Sequence, residues 1–562
     1  MFNCRNLFPE ALQQSTSLTR MICLTPAACF AALRSPLPRS HAPPPLPRSH
    51  APRSHAPRLV STFQGVRCFV LLALAAVASA MTAISSRAAE LPAAELVFQR
   101  HVAAIGGDAA LRKPHNMVLR GEADLVSLKV KAPIEFFVEA PDRFLLRLKY
   151  HHAFFGMIRV PFVGVRQPEC GYDGTNGWTI DFERRIEPMS SIASVPFRGL
   201  LDKFTPLYFS REFRLTRTLD IERFAGRDCY RVLVVFPSGE HALEYYDTVR
   251  GLLVGAINPF TDDGGSFNVS VTWSDYRRLR TGLSVPFLTD LEVFGDHYLL
   301  KGKEVRTDEK GFAIPASKCS EVAPLVATLK PDPKPAQEII DRYLGLIGGQ
   351  EAIRKHTSMH ISGQLRFPRN KGFSSPIEIY SARTNRFCLQ VQLAEGLHRQ
   401  GCDGQRYWRA TGTEVKFAAG KDLEQLLAMR DFEAELHGPG SYRSMETLGT
   451  IKVDGRTCYQ LLLVRKSGEV FDEFYDAETG LLYQRRRADE GNGGSRELLE
   501  TYDDYRRFGD QMVPVRQVFT ALQYREELTI SKVEWDNVPE TVFEPPSDIK
   551  AAWERKSLAK AK

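Results

Sequence analysis

The sequence contains one long segment twice, and this duplication constrains the fold more than any other feature. Five motifs recur in the same order in both halves, with spacings of 242, 230 and then three times 229 residues. A spacing this constant predicts two copies of one domain, each too long for a solenoid unit. The pairs are IGGDAALRK (105–113) with IGGQEAIRK (347–355), GYDGTNGW (171–178) with GCDGQRYW (401–408), GRDCYRVLVVFPSGE (226–240) with GRTCYQLLLVRKSGE (455–469), EYYDTVRGLL (244–253) with EFYDAETGLL (473–482), and WSDYRR (273–278) with YDDYRR (502–507).

The duplication also defines the expected domain organisation of the 562-residue chain. Two domains of somewhat over 200 residues account for most of this length, and each is large enough to bury a core of its own. The predicted divisions are a leader (1–89), a first repeat (90–320), a Pro-rich linker (321–336), a second repeat (337–550) and a Lys/Ala-rich tail (551–562).

The part of the chain that is expected to fold is nearly neutral. The whole sequence has a formal net charge of +7, but residues 1–89 hold nine arginines and a single acid, Glu10. The leader therefore carries +8 and the remainder −1. Because nucleic-acid-binding proteins present a basic face on the folded part, this distribution argues against a nucleic-acid partner.

The leader joins a low-complexity tract to a segment typical of an export signal. Residues 35–58 are rich in Pro, Arg, His and Ser and cannot form a packed core. Residues 67–80 combine Arg67, an apolar run too short to span a membrane, and a small-residue site at 78–80. We predict a signal peptide at about 66–80, translation starting near Val66, and a periplasmic or secreted protein. A plastid-type transit segment ahead of a second signal is the alternative.

The cysteines after the leader allow, but do not define, disulfides. An exported protein can oxidise its cysteines. Cys229 and Cys458 occupy the same position in the two repeats, which predicts equivalent sites in separate cores. Cys388 and Cys402 lie on neighbouring predicted strands and are a candidate pair, although connectivity does not follow from sequence. The six are Cys170, Cys229, Cys319, Cys388, Cys402 and Cys458.

Each repeat is predicted to begin with a short helix and to continue as antiparallel strands. Residues 339–347 place apolar side chains at helical spacing, and Gly348-Gly349 ends the helix. Residues 387–393 alternate apolar and polar, the pattern of a half-buried strand, and Asp-Gly and Ser-Gly pairs predict hairpin turns. We therefore expect a mainly β (α+β) chain with two tandem sheets that curve because of their many strands.

A longer, partly helical insert interrupts the strands of each repeat, at 188–213 and at 420–436. We expect both inserts to cover one face of a sheet as a helical lid. The first insert is longer and more apolar, so the first repeat is the expected ligand-binding one. The lid candidates are Phe197, Leu200, Leu201 and Phe204 in the first repeat and Leu423, Leu426 and Leu427 in the second.

The order of these features resembles the outer-membrane lipoprotein-sorting (LolA/LolB-like) superfamily. The shared pattern is a helix ending in Gly-Gly, a DGxxxW turn, a helical insert, a GRxCY strand, an SGE turn and an xDYRR strand, over residues 94–318 and 336–548. The resemblance implies an unclosed antiparallel β-barrel with a helical lid and an apolar cavity that holds acyl chains. The tandem arrangement departs from the single-domain carriers of the superfamily, which puts shuttling of lipoproteins between two membranes in doubt.

Residues with catalytic or metal-binding potential favour structural roles. The sequence has no HExxH, GxSxG or phosphate-binding glycine motif. His356 and His360 have a metal-like i, i+4 spacing, but they lie where a helix gives way to a strand, and the first repeat lacks the pair. Asp173 and Asp403 recur in Asp-Gly turns, where Asp usually caps its own backbone. We therefore predict neither an enzyme nor a metal or cofactor site.

Four aromatic residues are further cavity candidates: Trp178, Trp273, Trp408 and Tyr502. Core packing is the ordinary interpretation of such residues, and lining a lipid-sized cavity is the alternative. We expect an exported, lipid- or lipoprotein-binding protein with a hydrophobic or acyl ligand and room for peripheral membrane contact. The other hypothesis is a non-catalytic structural or protein-interaction module of the cell envelope.

Overall fold

The computed structural model describes residues 91–561 except for short gaps. The leader, Cys319 and the four lid candidates of the first insert lie outside the described residues. The gaps are 127–129, 141–142, 149–151, 156–157, 162–168, 174–176, 181–185, 190–205, 207–208, 210–212, 263–264, 294–295, 311–328, 369–371, 394–395, 412–413, 419–422, 424–425, 428–431, 434–435, 437, 492–493 and 522–523.

The first repeat begins with two helices and continues as strands. The helices are α1 (Ala94–Ala104) and α2 (Asp108–Leu111). The strands are β1 (Asn116–Leu125), β2 (Val130–Glu139), β3 (Arg143–Leu148), β4 (His152–Phe155), β5 (Ile158–Pro161), β6 (Glu169–Tyr172), β7 (Gly177–Ile180), β8 (Ile186–Met189), β9 (Leu215–Phe224), β10 (Arg227–Val235), β11 (His241–Asp247), β12 (Leu253–Asp262), β13 (Gly265–Arg278), β14 (Ser284–Val293) and β15 (Asp296–Thr307).

The second repeat follows the same plan and ends in a further helix. Helices α3 (Ala336–Ile347) and α4 (Gly349–Lys355) open it, and α5 (Ser547–Ala561) closes the chain. The strands are β16 (Ser358–Phe367), β17 (Phe373–Ala382), β18 (Arg386–Leu393), β19 (Gly396–Asp403), β20 (Tyr407–Thr411), β21 (Glu414–Phe417), β22 (Tyr442–Val453), β23 (Arg456–Arg465), β24 (Val470–Asp476), β25 (Leu482–Gly491), β26 (Gly494–Phe508), β27 (Gln511–Ala521) and β28 (Tyr524–Trp535).

Each repeat forms an antiparallel sheet with the same strand order. The first runs β8-β7-β6-β3-β2-β1-β15-β14-β13-β12-β11-β10-β9. The second runs β21-β20-β19-β18-β17-β16-β28-β27-β26-β25-β24-β23-β22. Within the described residues the end strands of a sheet do not pair with each other, so neither sheet closes. The predicted fold class is confirmed.

The opening helices define what we call the inner face of each sheet, the face on which they pack. The ring of Phe98 in α1 lies 5.7 Å from that of Tyr246 in β11, centroid to centroid. Tyr343 in α3 lies 5.5 Å from Tyr475 in β24. The helix α3 ends at Gly348, where φ is +130° and an added Cβ would lie 2.6 Å from a backbone oxygen. The predicted Gly-Gly helix ends are therefore required by backbone geometry.

The two sheets pack against each other through their outer faces, at β9–β11 and β22–β24. Every member of three equivalent pairs of aliphatic residues, each 229 positions apart, is at most 2% exposed. A shared apolar cluster of this kind is the main stabilising term of an interface. The three pairs are Leu219 with Leu448, Leu233 with Leu462, and Val235 with Val464.

Polar contacts show that this packing follows a pseudo-two-fold axis. Arg217 bonds Glu446 at 2.6 Å, and the backbones of Phe267 and Arg496 pair, so each residue meets its own equivalent 229 positions away. Arg231 donates to the Gly468 carbonyl at 3.1 Å. The equivalent contact in the other direction runs from Gln460 to the Gly239 carbonyl at 2.8 Å. Reciprocal contacts of this kind are the signature of an isologous interface, such as that of a symmetric dimer.

Cys229, Cys388, Cys402 and Cys458 are free thiols, and these four and Cys170 are buried. The candidate disulfide between Cys388 and Cys402 is wrong. Cys388 pairs with Gly401 and Cys402 with Phe387, so their side chains point to opposite faces of the sheet. Cys229 and Cys458 lie in separate clusters, as predicted. Among the described residues, no helix is both long and apolar enough to cross a membrane.

Candidate functional site: the inner face of the first repeat

The inner face of the first sheet is a single apolar cluster that runs across seven strands, from β3 and β6 to β12. Its members alternate along each strand with outward-facing residues, because successive side chains of a strand point to opposite faces. The strand β2 contributes Ile134, Phe136 and Val138, while Phe137 packs on the outer face. No other cluster of the described residues spans so many strands, which makes this face the candidate binding surface.

One carboxyl group interrupts the apolar face. Glu244 lies on β11 between Ala242 and Tyr246, and its side chain shares their face. The residue is 9% exposed, and its hydrogen-bond partner among the described residues is the Tyr246 hydroxyl, which donates to Oε2 at 2.6 Å. No Lys or Arg of the described residues pairs with it. Burial therefore raises the pKa of Glu244 to about 7, although the Tyr246 hydrogen bond opposes the shift.

An amide group lies close to this carboxyl. Glu244 pairs with Ala256 on β12, and Asn258 is two residues further along the same face. Diagonal neighbours of this kind have Cα atoms roughly 7–8 Å apart. Asn258 is 3% exposed, and its Nδ2 has no hydrogen-bond partner. An unpaired buried amide costs free energy, so its presence calls for an explanation.

The second repeat fills the same place with its own ion pairs. Glu473 is the equivalent of Glu244, and Tyr475 donates to it at 2.6 Å, as Tyr246 does in the first repeat. Here Arg485 also reaches Glu473 at 2.6 Å and Glu500 at 3.7 Å. Arg487 donates to Glu500 at 3.1 Å. The inner face of the second repeat therefore carries a charged row, whereas that of the first carries an unneutralised carboxyl.

The substitutions between the repeats also remove side-chain volume from the first one. At the positions of Arg485, Arg487 and Glu500, which are 229 residues later, the first repeat has Ala256, Asn258 and Val271. Each replacement is smaller than its counterpart. The two repeats thus share a backbone but differ in the size and polarity of one patch of the inner face.

The structure divides the aromatic candidates between the two faces. Trp273 lies in the inner-face cluster of the first repeat, and Tyr502 bonds Glu500 on that of the second. Trp178 packs on the outer face with Val118, Phe137 and Leu145. Trp408 packs with Ala410 and with Ile549 of the C-terminal helix. Both tryptophans lie on the face opposite the one on which α1 and α3 pack, so neither is a candidate for contact with a ligand on the inner face.

A shared glycine explains the position of these two tryptophans. The ring of Trp178 lies over Gly171, and an added Cβ would be 2.5 Å from it. Trp408 covers Gly401 at 2.4 Å in the same way. The motifs GYDGTNGW and GCDGQRYW therefore preserve a packing pair.

The described lid residues cover the inner face. Leu423, Leu426 and Leu427 pack against a cluster of Phe387, Cys402 and Tyr407 in the second repeat. At the end of the first insert, Phe209 stacks on Phe98 of α1 at 4.2 Å. Aromatic stacking of this kind fixes the end of the insert on the opening helix.

The histidines and the turn aspartates have local partners. His356 contacts Asp536 at 2.6 Å and Asp510 at 2.8 Å, whereas His360 contacts Glu378 at 2.6 Å. The two imidazoles therefore serve different ion pairs, and no metal-like cluster occurs among the described residues. Asp403 accepts from the backbone of Arg406 at 2.8 Å and caps its turn, as predicted.

Sequence reasoning missed Glu244 and Asn258. Glu244 stands in a motif that both repeats share, so the motif alone does not distinguish it from Glu473. The informative signal was the difference on the next strand, where AIN (256–258) replaces RRR (485–487). Only the strand register places these residues beside the carboxyl.

No protein-family model matches the sequence, and no curated protein sequence matches it. Solved structures similar to the chain include a LolA superfamily protein from Nitrosomonas europaea, 14% identical with a TM-score of 0.27, which matches 37% of this chain and 97% of that one. A DUF1329 family protein from Desulfovibrio piger is 12% identical with a TM-score of 0.28, and the match covers 38% of this chain and 98% of that one. Lipoprotein LppX from Mycobacterium tuberculosis is 14% identical with a TM-score of 0.17, and the match covers 36% of this chain and 96% of that one.

The TM-scores of these matches are 0.28 or lower, so they support no statement about this chain beyond the similarity itself. The function therefore has to be argued from the residues of this chain.

Proposed function

We propose that this protein is an exported, non-enzymatic carrier that holds an acyl chain or another hydrophobic ligand on the inner face of its first repeat. The single observation in support is the contrast between the repeats. The first has an apolar face with Ala256 and Val271, where the second has Arg485 and Glu500. Each methylene buried there contributes about 0.8 kcal/mol, so one long chain is enough for useful affinity.

The test is a binding titration of the exported, delipidated full-length protein with a fluorescent fatty acid. We expect saturable binding at one site per chain, and native mass spectrometry of untreated protein should show a bound lipid. Ala256→Arg with Val271→Glu rebuilds the charged pair of the second repeat and should abolish binding. Glu446→Gln, in the interface between the repeats, is the matched control and should not. Absence of both uptake and a co-purified lipid would refute the proposal.

The second candidate is a structural or protein-interaction module of the cell envelope. The observation that favours it is the close packing of the inner face, whose clustered residues are at most 8% exposed. In that case the side chains of the protein fill the space themselves. The same titration separates the two functions, because a filled face takes up no fatty acid.

A further inference from the structure

The pairing of Glu473 with Arg485 shows what the equivalent carboxyl of the first repeat lacks. In the second repeat the guanidinium of Arg485 reaches one oxygen of Glu473 through Nε at 2.9 Å and Nη2 at 2.6 Å, and Tyr475 donates to the other oxygen. In the first repeat the tyrosine contact is kept at 2.6 Å. The oxygen that would receive the guanidinium has no donor among the described residues.

The missing group is positively charged and donates hydrogen bonds. A buried carboxylate is stabilised by a cationic donor, and removal of that donor leaves an unfavourable charge. Here the donor was not replaced by a neutral side chain that bonds Glu244, since Ala256 stands in the position of Arg485. Alanine has no side-chain donor, so the hydrogen bond that Glu244 lacks has to come from another group.

Asn258 supplies a second, independent observation. Its Nδ2 is buried without an acceptor on the same face, two positions from Ala256. The equivalent residue, Arg487, has an acceptor in Glu500 at 3.1 Å. A ligand that satisfies both groups therefore presents a donor to Glu244 and an acceptor to Asn258.

We propose that the first repeat binds an amphiphile with a protonated amine, whose ammonium group pairs with Glu244 while its alkyl chain lies on the apolar inner face. This inference rests on the proposed function and names its ligand class. The amine takes the place that Arg485 has in the second repeat. An oxygen of the head group, such as an ester carbonyl, accepts from Asn258. Val271 and Trp273, on the neighbouring strand, contact the first part of the chain.

The experiment compares three probes of equal chain length, decylamine, decanol and decanoate, each below its critical micelle concentration. Binding to the delipidated full-length protein is measured by displacement of a fluorescent fatty acid at pH 7.5. We expect decylamine to bind at least about tenfold more tightly than either of the others, since a close charge pair contributes more than that factor. Glu244→Gln should bring the three affinities within about threefold of each other, mainly through loss of amine binding.

Two controls keep the outcomes distinguishable. Glu478→Gln changes a carboxyl on an exposed turn of the second repeat and should leave the preference for the amine intact. Circular dichroism of each variant shows whether it is folded. If the wild type binds all three probes equally, or if Glu244→Gln keeps the preference, the amine inference is overturned and the proposed function stands. If no probe binds and the fluorescent fatty acid does not bind either, the proposed function itself fails.

Discussion

Replacing Glu244 with Gln should make the protein more stable above neutral pH. The ordinary pKa of the group is 4.5, and burial raises it to about 7 in the folded chain. A difference of about 2.5 units, at ~1.36 kcal/mol per unit, corresponds to about 3 kcal/mol of folding free energy. Folding favours the protonated carboxyl. The contribution of Glu244 to the unfolding free energy of the wild type is therefore complete below about pH 4.5 and is lost as the pH rises through about 7.

The assay is urea unfolding of the full-length protein at half-unit steps from pH 5 to pH 8.5, followed by tryptophan fluorescence. The quantity of interest is the difference in unfolding free energy between Glu244→Gln and wild type. It should be near its minimum at pH 5 and rise to about 3 kcal/mol by pH 8. The titratable group in contact with Glu244 is Tyr246, and Tyr246 in turn interacts with Tyr276 and lies 5.5 Å from the ring of His101. Burial raises the pKa of both tyrosines, so they stay neutral in this range. His101 is present in the wild type and in the variant, so its own contribution cancels in the difference between them.

The matched control is Glu473→Gln in the second repeat, which has the same tyrosine contact but also an arginine. This change leaves the guanidinium of Arg485 without its contact at 2.6 Å. Breaking a buried pair costs about 3–5 kcal/mol, so this variant should be less stable than wild type at pH 8. Opposite signs for the two substitutions are the result that the structure requires. A flat difference for Glu244→Gln across pH 5–8.5, or destabilisation at pH 8, would refute the reasoning.

Other predictions concern packing and the interface between the repeats. Gly171→Ala places a methyl group 2.5 Å from the Trp178 ring and should lower the unfolding free energy by about 1–3 kcal/mol. Thermal denaturation measures this loss, and an unchanged midpoint would mean that the ring moves aside at little cost. Arg217→Glu should destabilise the chain by about 0.5 kcal/mol, and the swap Arg217→Glu with Glu446→Arg should restore it in a double-mutant cycle. Cleavage at a protease site inserted within 311–328 should leave the two repeats associated in size-exclusion chromatography because of their shared apolar cluster; separate peaks would contradict this.

Much of the fold could be predicted because its signals are local. Gly348 with φ of +130° and Asp403 at its turn are required by backbone geometry within a few residues. The alternation of residues 387–393 follows from the period of a strand. The same period does not show which face is the inner one, so the sequence does not reveal that Trp178 and Trp408 lie on the outer face. The face depends on where α1 and α3 pack, which is a tertiary contact.

The ion pairs and the interface between the repeats could not be predicted from the sequence, because they depend on the register of paired strands and on contacts between residues far apart in the chain. Arg485 lies 12 residues from Glu473, and strand pairing alone brings their side chains together. The partners at the interface are 229 residues apart, as with Arg217 and Glu446. An apolar residue such as Leu233 gives the same strand pattern whether it packs inside its own repeat or against another. The duplication was visible, but the way in which the copies meet was not.

The duplication and the difference between the copies together explain the arrangement of charge. Reciprocal contacts of Arg231 and Gln460 keep the pseudo-two-fold interface, but Arg486, where the first repeat has Ile257, breaks the symmetry. Arg486 reaches Glu240 of the first repeat at 2.7 Å across the interface and Asp472 of its own repeat at 2.9 Å. Burial would raise the pKa of Asp472, but Arg486 and His241 outweigh it and lower that pKa to about 2.

The second repeat thus uses consecutive arginines on both faces of β25, Arg486 to hold its partner and Arg485 and Arg487 to neutralise its own inner face. Alternation along a strand makes both tasks possible in three residues. The first repeat has Ala256, Ile257 and Asn258 at those positions, so this segment of β12 contributes no cation to either face. The inner face with Glu244 and the contacts between the copies lie on opposite faces of the first sheet, so we expect a ligand bound as proposed to leave the contacts between the copies intact.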